Sequence, residues 1–365
     1  MKSLKPTQAA QRVCPNLLKT CVLSTLLSMS ASGFAQDKQS GSAWKRIDSG
    51  VQVELRGLSV VDARTAWASG AKGTVLRTVD GDTWQAMQVP GADKLDFRDI
   101  QGFDAQTAIA MSAGPGKASS LYKTRDGGVT WELLKVNGDE AGFWDAMDFW
   151  DREHGIVFGD PVDGSFQVLV TTDGGASWNS PVLDKKQLAA LTGEGAFAAS
   201  GTCISVTGKQ DVWFVTGSAA QSRVFRSHDG GKNWQVSATE VPAAAPPKGL
   251  FSVNINAQGQ GFAVGGDYQQ AKGAGINIVS TRDAGKTWQT VPSSPTGFMS
   301  VVSRVPGSAS FVVGGLAGSV VTKDFGKTWQ WLGETPLNAT AFATPQHGWA
   351  VGPKGLIMKF VGDAL

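Results

Sequence analysis

Tyrosine, histidine and cysteine are scarce in this 365-residue chain, with two, three and three copies, and charged residues make up only 18%. His154, His228 and His347 are scattered, and no His-x-x-His, Cys-x-x-Cys or His-Glu-x-x-His occurs, so no transition-metal site is expected. Cys14 and Cys21 lie near the start, which leaves Cys203 alone in the body of the chain, without a disulfide partner and read as a buried strand residue. Glycine-rich stretches such as Gly314-Gly-Leu-Ala-Gly318 lead into no helix, which excludes a phosphate cradle and a dinucleotide fingerprint. No cofactor is therefore expected. The Asp-rich stretch around Asp145 lacks the regular spacing of a calcium loop. Beyond the N-terminus no apolar run is long enough to span a bilayer.

That N-terminus has the makeup of a secretory signal peptide. Lys2, Lys5, Arg12 and Lys19 form a basic segment without an acid, an apolar run follows to about Ser32, and Gly33-Phe-Ala35 is a small-x-small cleavage site. The expected organisation is a signal peptide over 1–35, a short linker over 36–42 and one domain over 43–365, located in the periplasm or secreted. Removing four bases turns the net charge from +2 to −2, which argues against nucleic acid or an anionic membrane as partner.

What the chain has in abundance is glycine, 46 residues, and tryptophan, 13 residues, and both recur with a period. Six segments repeat one pattern, [Ser/Thr]-x-Asp-x-Gly-x-[Thr/Ser/Asn]-Trp. Their Asp and Trp residues are Asp80 and Trp84, Asp126 and Trp131, Asp173 and Trp178, Asp229 and Trp234, Asp283 and Trp288, and Asp324 and Trp329. The first copy is one residue short. The chemistry is that of a hairpin turn: Asp accepts from backbone N–H groups across the turn, Gly supplies a positive φ, and Trp starts the next strand. An apolar pair precedes each turn, a Gly-ended apolar strand such as Gly155-Ile-Val-Phe-Gly159 lies upstream, and a further strand lies before that. Each repeat is thus four antiparallel strands.

The Trp residues are 47, 47, 56, 54 and 41 apart, the length of a propeller blade. After the sixth turn the chain makes three more strands and stops, while Trp44-Lys-Arg-Ile47 matches the strands that follow each turn. The expected fold is all-β: a seven-bladed β-propeller of four-stranded antiparallel blades, closed by the N-terminal strand completing the last blade, which leaves no open sheet edge. Asp184 to Ala190 is the one place where a turn or two of helix is expected.

The six turns resemble the Asp-box, or BNR repeat, of sialidases and other exported propellers. The fuller unit, Gly-Trp-Ala-Val-Gly followed by an apolar pair and the Asp turn, is similar to the photosystem II stability/assembly factor family of seven-bladed propellers, from about Ala43 to Phe360. The resemblance implies a binding or assembly scaffold with a protein partner. A sialidase would further need an arginine cluster and a Tyr–Glu pair. Tyr122 occupies the position where other repeats have Leu76, Leu169 and Phe225 and is read as core packing, and no glutamate lies near Tyr268 in sequence.

In such a blade the Asp turns and the loops between first and second strands share one face. The twelve turn residues named above are therefore structural, and function falls to the other face, where the repeats diverge. Candidate ligand residues there are Arg56, Arg98 and Asp99 at inner-strand starts, Trp144, Asp145, Asp160 and Asp163 in the third blade, and Tyr268 in the long loop of the fifth. Asp148 is a further carboxylate of that third-blade group. The expectation is a non-catalytic, monomeric scaffold that docks a protein segment or a glycan there, with Trp and Tyr as anchors. The alternative is a glycoside hydrolase using paired carboxylates, Asp145 and Asp160.

Overall fold

The computed structural model describes residues 42–365. The expected signal peptide, its cleavage site and all but the last residue of the linker lie outside the described residues.

Seven antiparallel sheets follow one another along the chain, the first six with their strands in sequence order and the seventh closed by the first strand of the chain. Blades 1 to 6 begin with the inner strands Leu55–Val60, Phe97–Gly102, Trp144–Phe149, Ile204–Thr207, Lys248–Ile255 and Val301–Arg304. Blade 7 takes Ala339–Thr344, His347–Val351 and Ile357–Phe360 from the end of the chain and Trp44–Ile47 from its start. Trp44 pairs with Phe360 and Ile47 with Ile357 in that closing ladder. Burial of Trp44 against Phe342 and Phe360, with its indole N–H donating to Ser319 in blade 6, makes the closing strand part of the core.

The turns form as their chemistry requires. In five copies the Asp Oδ1 accepts from the backbone N–H four residues on, for example Thr130 and Ser177 at 2.9 Å, and the Oδ2 accepts from that residue's side chain. In the short first copy Asp80 serves Asp82 and Thr83 instead. The turn glycines Gly128, Gly175, Gly231, Gly285 and Gly326 have φ between 80° and 91°, which L side chains rarely adopt.

Blades are tied together by indole N–H groups and by polar inner-strand side chains. Trp67 donates to Asp104 O, Trp213 to Ala284 O and Trp349 to Gly81 O, each in the next blade round the ring. Asp99 Oδ2 accepts from the Met147 amide at 2.7 Å, and Asp148 Oδ2 from the Val206 amide at 2.8 Å. Tyr122 packs edge-on against Phe97 at 5.6 Å, as core packing requires. Cys203 is buried.

Blade 3 departs from the rule of four. Its strands Trp144–Phe149, Gly155–Val162 and Ser165–Thr171 make a three-stranded sheet, and the segment after Trp178 pairs with it by backbone only at the isolated bridges Val170–Asn179 and Ser165–Ala189. Pro181 stands where that outer strand would continue; it has no N–H to give a ladder and its φ is fixed. The segment bows outward instead and includes a 3₁₀ turn over Lys185–Leu188, capped by Asp184, which is the helical turn expected there.

Candidate functional site: a central cup opposite the Asp turns

The inner strands of blades 1, 2, 3 and 5 share one irregularity near their starts. The ladder to the second strand slips between Leu55 and Gly57, Phe97 and Asp99, Trp144 and Ala146, and Leu250 and Ser252. Each slip is a β-bulge whose extra residue is Arg56, Arg98, Asp145 or Phe251. A bulge takes one residue out of the strand's alternation and re-aims its side chain, and all four line one cavity of about 360 Å³. Glycine permits this in three of the blades. A Cβ on Gly70, Gly159 or Gly265, the second-strand glycine paired with the residue before the bulge, would lie 1.9–2.2 Å from the carbonyl oxygen of Glu54, Phe143 or Gly249. The Gly-ended strands of the repeat are thus the backing against which the bulges form.

Six of the seven blades reach this cup, and in place of blade 4 stands the connection that leads into it. Ser300, just before the inner strand of blade 6, and Asn338, just before that of blade 7, complete the ring. Asn338 donates to Glu54 Oε1 at 2.7 Å and to Leu55 O at 2.8 Å. The connection from blade 3 to blade 4 contributes Ala196–Ala199, which runs over the cup. Ala196 N–H donates to Asp160 at 2.8 Å, Arg98 donates to Ala198 O at 3.4 Å and Arg56 to Ala199 O at 3.3 Å.

One wall is aromatic. Phe197 stacks on Phe251 with centroids 3.8 Å apart, and Phe298 meets Phe251 edge-on at 4.7 Å. Tyr268, 45% exposed, stands 6.2 Å from Phe251 at the rim. The other wall is charged. Arg98 pairs with Asp96 at 2.8 Å and Arg56 with Glu54 at 3.5 Å. Several polar atoms on this wall are buried and without a hydrogen-bond partner: both carboxylate oxygens of Asp145, Asp96 Oδ1 and Arg56 Nε. Buried polar groups are nearly always satisfied, so this concentration beside a cavity marks a place built for something else. Burial first, and Asp160 second, push the Asp145 carboxyl well above the usual carboxylate range, opposed by Arg98 and by the amides of Asp160 and Ala198. Burial raises Asp160 as well, against the Ala196 hydrogen bond. Burial and the like charge of Arg98 lower Arg56, opposed by Glu54 and Asp96.

Five of the eight residues expected to face a ligand line the cup: Arg56, Arg98, Asp145, Asp160 and Tyr268. Three do not. Trp144 is 2% exposed and packs with Met111, Leu121 and Trp178, because the bulge falls on its neighbour Asp145 and leaves Trp144 pointing between blades. Asp99 is buried for the same reason, one place beyond the bulge at Arg98, and spans blades 2 and 3. Asp163 has φ 51° at the tip of the hairpin between the second and third strands of blade 3, outside the cup. Of the remaining carboxylates, Asp148 is held by the Phe149 and Val206 amides.

Glu54, Phe143, Phe197, Phe251, Phe298, Ser300 and Asn338 also line the cup and were not singled out in the sequence. Phe251 could have been found by aligning Leu55-Arg56, Phe97-Arg98, Trp144-Asp145 and Leu250-Phe251 on the glycine or serine that ends the next strand. Among the described residues no group of three or more His, Cys, Asp or Glu is arranged to hold a metal ion.

No protein-family model matches the chain. It is 25% identical over 177 residues to the photosystem II assembly lipoprotein Ycf48 of Synechococcus sp. (strain CC9902), a match covering 48% of this chain and 46% of that protein. The match therefore spans about half the length of that curated relative. Two solved structures superpose over nearly the whole domain. YCF48 bound to D1 peptide has a TM-score of 0.63 at 15% identity, covering 89% of this chain and 97% of that one. YCF48 from Cyanidioschyzon merolae has a TM-score of 0.65 at 16% identity, covering 88% and 99%. At these identities the structures establish a shared fold, a seven-bladed propeller.

Proposed function

We propose that this protein is an exported, non-catalytic scaffold, comparable in role to a photosystem II assembly factor, that docks a segment of a partner protein in the central cup. The observation that carries the reading is the set of unpartnered buried polar atoms around Asp145, Asp96 and Arg56, set against an aromatic wall. A peptide supplies what such a wall can take: carbonyls for the guanidinium groups and an apolar side chain for Phe251 and Tyr268. The relative's description as an assembly lipoprotein, and the fold shared with a propeller bound to a peptide, agree with it. On this reading the turns are Asp-box repeats of the sialidase-like superfamily with a purely structural role. The N-terminal segment directs export to the periplasm or beyond, and the protein acts as a monomer.

The test is capture of cross-linked partners from the cell envelope by wild-type protein and by an Arg98→Glu/Asp145→Lys variant whose fold is verified by circular dichroism. The expected result is a protein partner held by the wild type and lost in the variant. An identical partner set from both proteins would remove the cup from consideration as a docking site.

A second reading has one observation in its favour: Asp145 and Asp160 share the cavity and both have raised pKa values, as an acid/base pair in a glycoside hydrolase would. Against it, both Asp145 oxygens are buried and Asp160 is engaged by Ala196. Turnover of chromogenic glycosides that disappears in Asp145→Asn would favour the hydrolase and overturn the scaffold; a docked glycan without turnover would keep the scaffold and change its ligand.

A further inference from the structure

A second cavity, about 460 Å³, lies beside the outer edge of blade 3, on a different part of the ring from the cup. In the other six blades the third strand pairs with a fourth. In blade 3 the third strand, Ser165–Thr171, has no such partner between its two end bridges. The Val170 N–H and C=O both face Asn179, at 2.8 and 3.0 Å. Strand alternation therefore turns the N–H and C=O of Val168, two residues back, toward the same open side, where no hydrogen bond meets them. The chain from Asn179 to Ala189 leaves the edge at one bridge and rejoins it at the other, and the cavity is the space it bows around. Phe166, Leu183 and Leu188 give that space apolar walls. Lys135, on the outer strand of blade 2, and Lys185, on the bowed segment, stand on its rim, and neither has an ion-pair partner among the described residues. Asp139 and Asp163 also border it, the first already accepting from the Ala141 amide and the second at the hairpin tip.

We propose that this edge is a docking site for a short extended peptide segment of another protein, taken up as the missing fourth strand of blade 3. An unpaired N–H and C=O on one strand residue is the pattern that a second extended backbone completes, as in recognition by strand addition. The apolar walls fit a single apolar side chain, and the two free lysines fit an acidic residue flanking it. Val182 on the bow is fully exposed.

The experiment is panning of the full chain against a phage-displayed library of random linear peptides, followed by affinity measurements on synthetic versions of those enriched. The expected peptides carry an acidic residue next to an apolar one and bind with an affinity that Arg98→Glu leaves unchanged, which separates this site from the cup. N-methylation of the peptide backbone at the residue opposite Val168 is expected to weaken binding about tenfold, the effect of one or two lost hydrogen bonds, while the same change at the next residue has little effect. Pro181→Thr, which restores the missing N–H, is expected to slow amide exchange at Val168 and to weaken the same peptides. Absence of enriched peptides, affinity that survives N-methylation at every position, or loss of binding in Arg98→Glu would each overturn the proposal.

Discussion

The two faces of the ring use the same side chain in opposite ways. On one face the turn carboxylates are exposed or half-buried and fully partnered: Asp173 and Asp283 each accept from a hydroxyl on either side and from a backbone N–H. At Asp283 burial is the largest single influence and raises the pKa, but the hydrogen bonds together outweigh it, and both carboxyls are held at about 2. On the inner strands Asp99 and Asp145 are buried and Asp148 is half-buried, with few donors or none, and loss of solvation pushes all three up, Asp148 to about 7. The repeated carboxylates complete a turn whose hydrogen bonds outweigh their loss of solvation. The unrepeated ones lose more solvation than their partners restore, and such a deficit persists only where a structural junction or a ligand gives it a use. Asp99 and Asp148 have the junction; Asp145 has only the nearby Asp160 and Ala198 amides and the Arg98 charge, which do not offset its burial.

The largest expected effect is on stability against pH. For Asp99, Asp145 and Asp148 the folded state holds protons that the unfolded chain has released above about pH 4, so stability is full below that pH and falls as pH rises through the folded pKa. For Asp148 that decline ends near pH 7. The turn aspartates act in the reverse sense: their stabilisation is present above about pH 4 and is lost as pH falls toward about 2. Urea unfolding from pH 3 to 8 is expected to show a maximum near pH 4–5 and a decline toward pH 8. Asp148→Asn is expected to flatten that decline up to pH 7. A stability that rises from pH 4 to 8 in the wild type would show that these carboxylates reach solvent, and the contrast between the faces would fail.

Next in size is the junction itself. Asp99→Ala removes the acceptor for the Met147 and Ile100 amides and leaves two buried N–H groups orphaned, at an expected cost of about 2–4 kcal/mol. A neighbouring change tests the cup in the other direction. Asp145→Asn removes a buried ionisable group whose oxygens lack a hydrogen bond, so thermal unfolding above pH 7 is expected at the wild-type temperature or higher. A clear loss of stability in Asp145→Asn would mean that this carboxylate has a structural partner after all.

These differences bear on what could be read in the sequence. The turns, the blade count and the closing role of Trp44–Ile47 were legible because six copies of one pattern state the geometry six times. Arg56, Arg98, Asp145, Asp160 and Tyr268 were legible because loops opposite the turns are where repeats diverge. Trp144 and Asp99 were misplaced by one residue, since a β-bulge has no composition of its own and shifts every assignment beyond it to the other side of the strand. Phe197 was out of reach for another reason: it belongs to the connection between blades 3 and 4, which has no counterpart elsewhere in the ring. The lost outer strand of blade 3 did have a signal, Pro181, but the repeat pattern outweighed it.

The smallest expected effect is on the repeated face. Asp283→Ala deletes the acceptor for Thr281, Thr287 and the Thr287 amide; the two Thr287 groups lie where water can reach, and the buried Thr281 hydroxyl still holds the turn by accepting from the Gly285 amide. Solvent replaces most of what is lost, so the expected cost is about 1 kcal/mol, the range of an exposed capping residue. In a domain of this size that is a shift of only a few degrees in Tm. The comparison sharpens if the loss appears only above about pH 4, where the native carboxylate is ionised, and vanishes toward pH 2. A cost equal to that of Asp99→Ala would mean that the turn holds neighbouring blades together and is more than a local device. Arg226, which donates to Gly285 O in this same turn at 2.7 Å, is the contact through which such an effect would travel.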